Sequence, residues 1–178
     1  MSAILPPAHR VWAKVPIGKE ELVWITLSLI WCLIMFAMMP LWHFYGKQNM
    51  SNEAYKVPFS DFSAKVTEMV NQYKVGTEGN LPVVAPPVGS DVYMYGGGFM
   101  WYPVLELKKN ESYRLHLTSA DVQHGFSLQP VNINLQVVPE YDMVVTITPD
   151  QSGDFAIVCN EYCGIGHHQM LGKIIVKE

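Results

Sequence analysis

The chain has 178 residues, 12 Lys+Arg against 16 Asp+Glu, and a net charge of -4; only 16% of residues are charged and 49% are hydrophobic. Such a balance excludes a disordered chain, and a net-acidic chain lacks the basic surface that nucleic-acid phosphates require. The charge deficit is local: no Asp, Glu, Lys or Arg occurs in the 25 residues between Glu21 and Lys47, which excludes a fully soluble protein, and no second uncharged apolar run reaches the ~18 residues of another span.

Residues 1–21 form a short N-terminal segment that holds Arg10, Lys14 and Lys19. Residues 22–45 form the apolar run, with 20 of its 24 residues hydrophobic. A helix rises about 1.5 Å per residue, so Leu22–Trp42 spans roughly 30 Å of hydrocarbon. Trp24 stands near one end, and Trp42 and Tyr45 near the other, where interfacial anchors belong. No small-residue cleavage site follows the run, so it reads as a retained anchor rather than a signal peptide. The basic residues before it place residues 1–21 in the cytoplasm and the remainder on the outer face. That remainder, residues 46–178, nets -5 from nine basic and fourteen acidic side chains, which suits a basic protein partner.

Residues 46–90 read as a connector. Phe59, Phe62, Val66, Met69, Val70 and Tyr73 have helical spacing, which predicts a short amphipathic helix over Ser60–Tyr73. Beyond it Gly76, Gly79, Pro82, Pro86, Pro87 and Gly89 are expected to break regular structure. Residues 91–178 read as a small all-β sandwich or barrel. Strands are predicted at Val104–Lys108, Ser112–Thr118, Val131–Val137, Asp142–Thr148, Asp154–Cys159 and Leu171–Lys177. In Ser112–Thr118, Arg114 and His116 alternate with apolar neighbours, so both are expected on the polar face.

The loop before the last strand reads Cys159-Asn-Glu-Tyr-Cys163-Gly-Ile-Gly-His167-His-Gln-Met170. Two thiols, an imidazole and a thioether within 12 residues suit copper, whose mononuclear sites use one Cys, two His and a weak Met. The second Cys allows two thiolates to bridge two copper ions, each with its own His. His167 is one; His124, in Asp-Val-Gln-His-Gly-Phe, fits the other. A disulfide is the default for a bare Cys pair on an oxidising face, but it leaves the His and Met offsets unexplained. A redox dithiol belongs at a helix N-terminus near a βαβ unit, and zinc prefers a further Cys or His over Met. Cys32, in the apolar run, is read as packing and His168 as exposed or supporting.

The pattern Cys-x-Glu-x-Cys-Gly-x-x-His-x-x-Met resembles the dinuclear CuA motif of cytochrome c oxidase subunit II. Asp121-Val-Gln-His-Gly-Phe and Asn132-Ile-Asn-Leu-Gln-Val-Val-Pro139 resemble the B-family (ba-type) haem–copper oxidases, as does a single membrane helix. The resemblance implies a cupredoxin-like, mainly β Greek-key barrel or sandwich tethered by one N-terminal transmembrane helix. It implies that Cys159 and Cys163 bridge two coppers, that His124 and Met170 complete one, and that His167 and the Glu161 carbonyl complete the other. The implied activity is that of a cytochrome-c oxidase. The chain would accept electrons from cytochrome c and pass them to haem in catalytic subunit I, which carries a further copper. Oxygen would be reduced to water there, with proton translocation. A small additional membrane subunit and a cell-membrane location, with the copper domain on the periplasmic face, belong to the same expectation. Glu161 leaves the family's interface magnesium undecided. The Trp-rich segment through which electrons enter A-family enzymes is not reproduced; Trp101, in Tyr93-Met-Tyr-Gly-Gly-Gly-Phe-Met-Trp, is the local candidate. Glu21 is a candidate mouth for proton uptake, set against a favourable helix N-terminal charge. Two alternatives stand beside this: the CuA subunit of a nitric oxide reductase, and a membrane-anchored copper-delivery protein, whose Cys-x-x-x-Cys sits on a thioredoxin-like fold.

Overall fold

The structure, a computed structural model, describes residues 16–46, 53–131 and 133–178. Arg10 and Lys14, on which the membrane orientation rests, lie outside the described residues. The chain divides into two compact units, Met1–Lys47 and Gln48–Glu178.

In the first unit, α1 (Lys19–Tyr45) is long and apolar enough to cross a membrane by length and composition, and none of its residues is buried. Glu20 and Glu21 occupy its first turn, where the unsatisfied N–H groups favour negative charge. Pro40 lies within the helix near its C-terminal end, and the Gly46 N–H closes that end on the Trp42 carbonyl.

Among its described residues, the second unit contains two sheets and one α-helix. Its elements are β1 (Glu53–Lys56), α2 (Phe59–Tyr73), β2 (Lys74–Glu78), β3 (Leu81–Val84), β4 (Asp91–Gly97), β5 (Met100–Tyr102) and β6 (Val104–Lys108). There follow β7 (Tyr113–Ser119), β8 (His124–Gln129), β9 (Ile133–Val137), β10 (Tyr141–Ile147), β11 (Gly153–Cys159) and β12 (Leu171–Lys177). One sheet has the order β1-β10-β7-β4-β5, the other β2-β3-β6-β12-β11-β8-β9. This mainly β architecture is the sandwich expected from the alternation. On β9, Ile133, Leu135 and Val137 are buried while Asn134 and Gln136 are exposed. Val92 and Met94 of β4, Leu115 and Leu117 of β7, Leu105 and Leu107 of β6 and Ile157 of β11 are wholly or almost wholly buried in one core. Truncating any of these Leu, Ile or Met residues to Ala costs about 2–5 kcal/mol, because the lost transfer energy adds to a cavity.

Two expectations need correction. Residues 46–90 are more than a connector. Helix α2 buries Phe62, Val66, Met69 and Val70, as its spacing requires. The strands around it join both sheets: β1 pairs with β10, and β2 and β3 extend the larger sheet beyond β6. Gly79, read as a breaker, sits left-handed (φ 58) between Glu78 and Leu81, which face each other across the β2–β3 hairpin. Only glycine takes that conformation without strain. His116 is the second correction: it is buried, not solvated. Tyr93 of the adjacent strand stacks on it at 4.6 Å, and its Nδ1 stands 2.8 Å from Asp142 Oδ2. The alternation placed His116 on the correct face, but Tyr93, itself covered edge-on by Phe62 of α2, shields that face from water.

Candidate metal centre

Pairing of β8 with β11 and of β11 with β12 closes the sequence gap of 35 residues between His124 and Cys159. His124 opens β8 and Cys159 ends β11, next to Phe126. The loop then leaves the sheet, makes a short 3-10 turn at His167–Gln169 and returns at Met170. A backbone bond from the Cys159 N–H to the Met170 carbonyl (3.2 Å) closes its base.

The six donors expected from the motif converge on the two thiols. Cys159 Sγ lies 3.9 Å from His124 Nδ1, 3.8 Å from Cys163 Sγ and 3.2 Å from the Glu161 carbonyl oxygen. Cys163 Sγ lies 3.7 Å from His167 Nδ1 and 3.8 Å from Met170 Sδ. Both cysteines are free thiols; a sulfur separation of 3.8 Å is far beyond the ~2.05 Å of a disulfide. His124, Cys159 and Met170 are buried, while Cys163 and His167 are half-buried. His168 is exposed in the 3-10 turn.

Asp121 orients His124. Its Oδ1 accepts the His124 Nε2–H at 2.7 Å, and its Oδ2 accepts the Gly98 N–H at 3.0 Å. With Nε2 donating, Nδ1 carries its lone pair toward the sulfurs, as a metal ligand must. Burial works to raise the Asp121 carboxyl, but the Gly98 N–H, His124 and the Val122 N–H outweigh it and hold it below the ordinary carboxylate range. Burial, followed by the hydrogen bond and charge of Cys159, pushes the Cys163 thiol up to about 11. Both thiols must lose protons to ligate.

Gly125 gives the loop room: a Cβ there would run into the Asn160 side chain and the Glu161 amide. Neither Asp121 nor Gly125 was identified from the sequence. The signals were present, an Asp three residues before the ligand His and a Gly directly after it, but neither has meaning until the strand pairing is known. The Glu161 carboxylate receives the Gln136 Nε2–H at 3.4 Å.

Trp101 is not a surface residue. It is 1% exposed, edge-on to Phe126 (5.3 Å) and near the His124 ring (6.1 Å). A docking partner cannot reach it, because Gly96 and Gly172 both lie against its side chain. Nor are acidic groups the dominant feature of the surface at the loop. Tyr162, Ile165, Phe99 and Val122 are exposed on the loop and the turns beside it, while Asp121 is engaged with His124. Glu21 lies in α1, among the residues of the other unit. The loop joins two antiparallel strands, which is not the setting of a thioredoxin-like dithiol.

Residues 103–178 match the family described as the periplasmic domain of cytochrome c oxidase subunit II. The chain is 39% identical over 88 residues to cytochrome c oxidase subunit 2 of Thermus thermophilus, an alignment that covers 49% of this chain and 65% of that protein. It therefore spans less than two thirds of this relative. A chain in the cryo-EM structure of a heme-copper terminal oxidase dimer superposes with a TM-score of 0.56 at 20% identity, over 89% of this chain and all of that one. Rusticyanin from Thiobacillus ferrooxidans superposes with a TM-score of 0.51 at 17% identity, over 70% of this chain and 97% of that one. At these identities the two structures speak for the fold alone, and that fold is cupredoxin-like. The stretch that matches the family model, residues 103–178, also holds all six converging donors.

Proposed function

We propose that this chain is the electron-accepting subunit of a haem–copper oxidase of the B-family (ba-type), with a dinuclear CuA centre on Cys159, Cys163, His124, His167, Met170 and the Glu161 carbonyl. The observation that supports it is the convergence of these donors on two neighbouring thiols. One thiolate would serve a mononuclear site; two adjacent thiolates, each with an imidazole within 4 Å, provide for a pair of ions. Soft sulfur with imidazole suits copper over zinc, magnesium or calcium. Copper bound there would take up and release one electron at a time.

The chain's own part is to hold the ligands still. Strands β8, β11 and β12 fix both ends of the loop, Asp121 fixes the His124 ring, and the buried Met170 supplies a weak donor that tunes the potential. Helix α1 would hold the domain at the outer face of the cell membrane, within reach of haem in catalytic subunit I, where oxygen is reduced and protons are moved. Cytochrome c is the electron donor in this reading. Its docking would use the apolar rim of Phe99, Val122, Tyr162 and Ile165, while the -5 charge of residues 46–178 attracts a basic partner from a distance.

The test is to load the full chain in detergent with copper and to measure stoichiometry and the electron paramagnetic resonance spectrum. Two coppers per chain sharing one unpaired electron, reducible by ferrocytochrome c, are expected. A single localised copper would refute the dinuclear site.

A further inference from the structure

Residues 96–99, Gly-Gly-Gly-Phe, form the end of β4 and the turn into β5 and supply none of the donors named above. They nevertheless meet the site on three sides. At Gly96, a Cβ would stand 3.0 Å from Trp101 Cζ3, 3.1 Å from Met170 Cε and 3.2 Å from His124 Cδ2. The bare Cα is thus the surface on which two donor side chains and the Trp101 ring meet. At Gly98, the N–H bonds the Asp121 oxygen opposite the one that holds His124. The turn's backbone therefore helps aim the carboxylate that aims the ring.

Phe99 makes the third contact. Its ring lies over the cysteine loop, so that a Cβ on Gly166 would come within 2.5 Å of it and one on Gly164 within 3.3 Å. Phe99 holds this place with a left-handed backbone (φ 61), a conformation unfavourable for a bulky side chain. The turn is pinned to the chain before His124: the Ala120 N–H donates to the Gly96 carbonyl at 2.8 Å, and Gly97 has no room for a Cβ beside Ala120.

We infer that the Gly96–Phe99 turn is the positioning element of the copper site. It sets the His124–Met170 side through Gly96 and Asp121, and secures the Cys163–His167 side through Phe99. This rests on the copper reading above. The two actions are separable, because a Cβ at Gly96 meets the His124 and Met170 side chains, whereas the Phe99 ring meets the loop at Gly164 and Gly166.

The experiment compares the copper-loaded full chain and its variants in detergent by copper stoichiometry, reduction potential, paramagnetic resonance and loss of copper to a chelator. Gly96→Ala should keep two coppers yet shift the potential and the histidine hyperfine pattern. Adding Trp101→Phe, which opens space on that side, should move both back toward the parent values. Phe99→Ala should weaken copper retention about 10- to 100-fold, the usual cost of losing a ligand's support, with little change in potential; Phe99→Tyr should retain copper like the parent. A parent-like potential and spectrum in Gly96→Ala, or parent-like retention in Phe99→Ala, overturns the inference. If Gly96→Ala does not fold, Trp101→Phe alone probes the same contact, and an unchanged potential there overturns it equally. A parent chain that takes up no copper pair defeats the underlying reading before any variant is compared.

Discussion

His116 and His124 lie on neighbouring strands in sequence, β7 and β8, and both are buried. Each is held by an aspartate, His116 Nδ1 by Asp142 at 2.8 Å and His124 Nε2 by Asp121 at 2.7 Å. They differ in what the other nitrogen faces. For His116 it is a second carboxylate, Asp91, at 3.4 Å, and Asp91 also pairs with Arg114, which pairs with Glu53. For His124 it is the Cys159 sulfur at 3.9 Å, with Cys163 behind it. Burial and an aspartate suffice to fix an imidazole; the group opposite distinguishes a ring set among carboxylates from one that faces two sulfurs and could hold a soft metal. Among the described residues, the group of three His, Cys, Asp or Glu side chains able to hold an ion is His124 with Cys159 and Cys163.

The contrast is broken most directly at the thiols. Cys159→Ser should abolish the dinuclear spectrum and reduce copper to at most one ion per chain; survival of the shared-electron spectrum would refute the ligand assignment. The two aspartates come next. Asp121→Ala should lower copper affinity about 10- to 100-fold in chelator competition. Asp142→Ala should leave that affinity unchanged and destabilise the fold by about 1–3 kcal/mol, the cost of stranding a buried polar partner, read by denaturant unfolding. Exchanged outcomes would dissolve the distinction between the two histidines.

Met170→Leu is milder. The residue is buried and the volumes are similar, so stability should fall by less than ~1.5 kcal/mol. Copper should stay while the reduction potential moves. The smallest effect belongs to the edge of the His116 network. The Tyr55 hydroxyl, helped by the charge and hydrogen bond of Arg114, holds the Glu53 carboxyl below its ordinary value against the opposing effect of burial. A lowered folded value means that the stabilisation is present above the unfolded pKa of about 4.3 and is lost as pH falls through the folded value. Glu53→Gln should therefore flatten the loss of stability below about pH 4 slightly and change little at pH 7. An equal pH profile in both chains would remove Glu53 from the network.

Much of this was legible in the sequence. The limits of β6 and β12 match the predicted strands, the α2 spacing put Phe62, Val66, Met69 and Val70 inward, and the motif named the donors the fold brings together. Periodicity tells which face a side chain takes, not what covers that face, and so it misplaced His116 in water. An aromatic beside a glycine run gives no sign of its neighbours, so Trp101 stands in the sequence as a candidate for electron entry although Gly96 and Gly172 enclose it. The contributions of Asp121 and Gly96–Phe99 come from pairing β4 with β7 and β8 with β11, contacts between segments far apart in the chain. Glycines and prolines at 76–89 were read as interruptions because a hairpin turn and a loop share the same residues.

Strand β12 lies between β6 and β11, parallel to one and antiparallel to the other. During synthesis β6, β8, β11 and both cysteines emerge before residues 171–177, so the larger sheet has a gap at its middle until that strand arrives. Long-range parallel pairing is slow. For that interval Cys159 and Cys163 lie on a strand end with nothing to close the loop's far side, and Met170 is not yet against His124. The sheet order thus sets a timetable: the far end of the cysteine loop is fixed only when β12 pairs, and a metal shared by both ends of that loop would be held only after that.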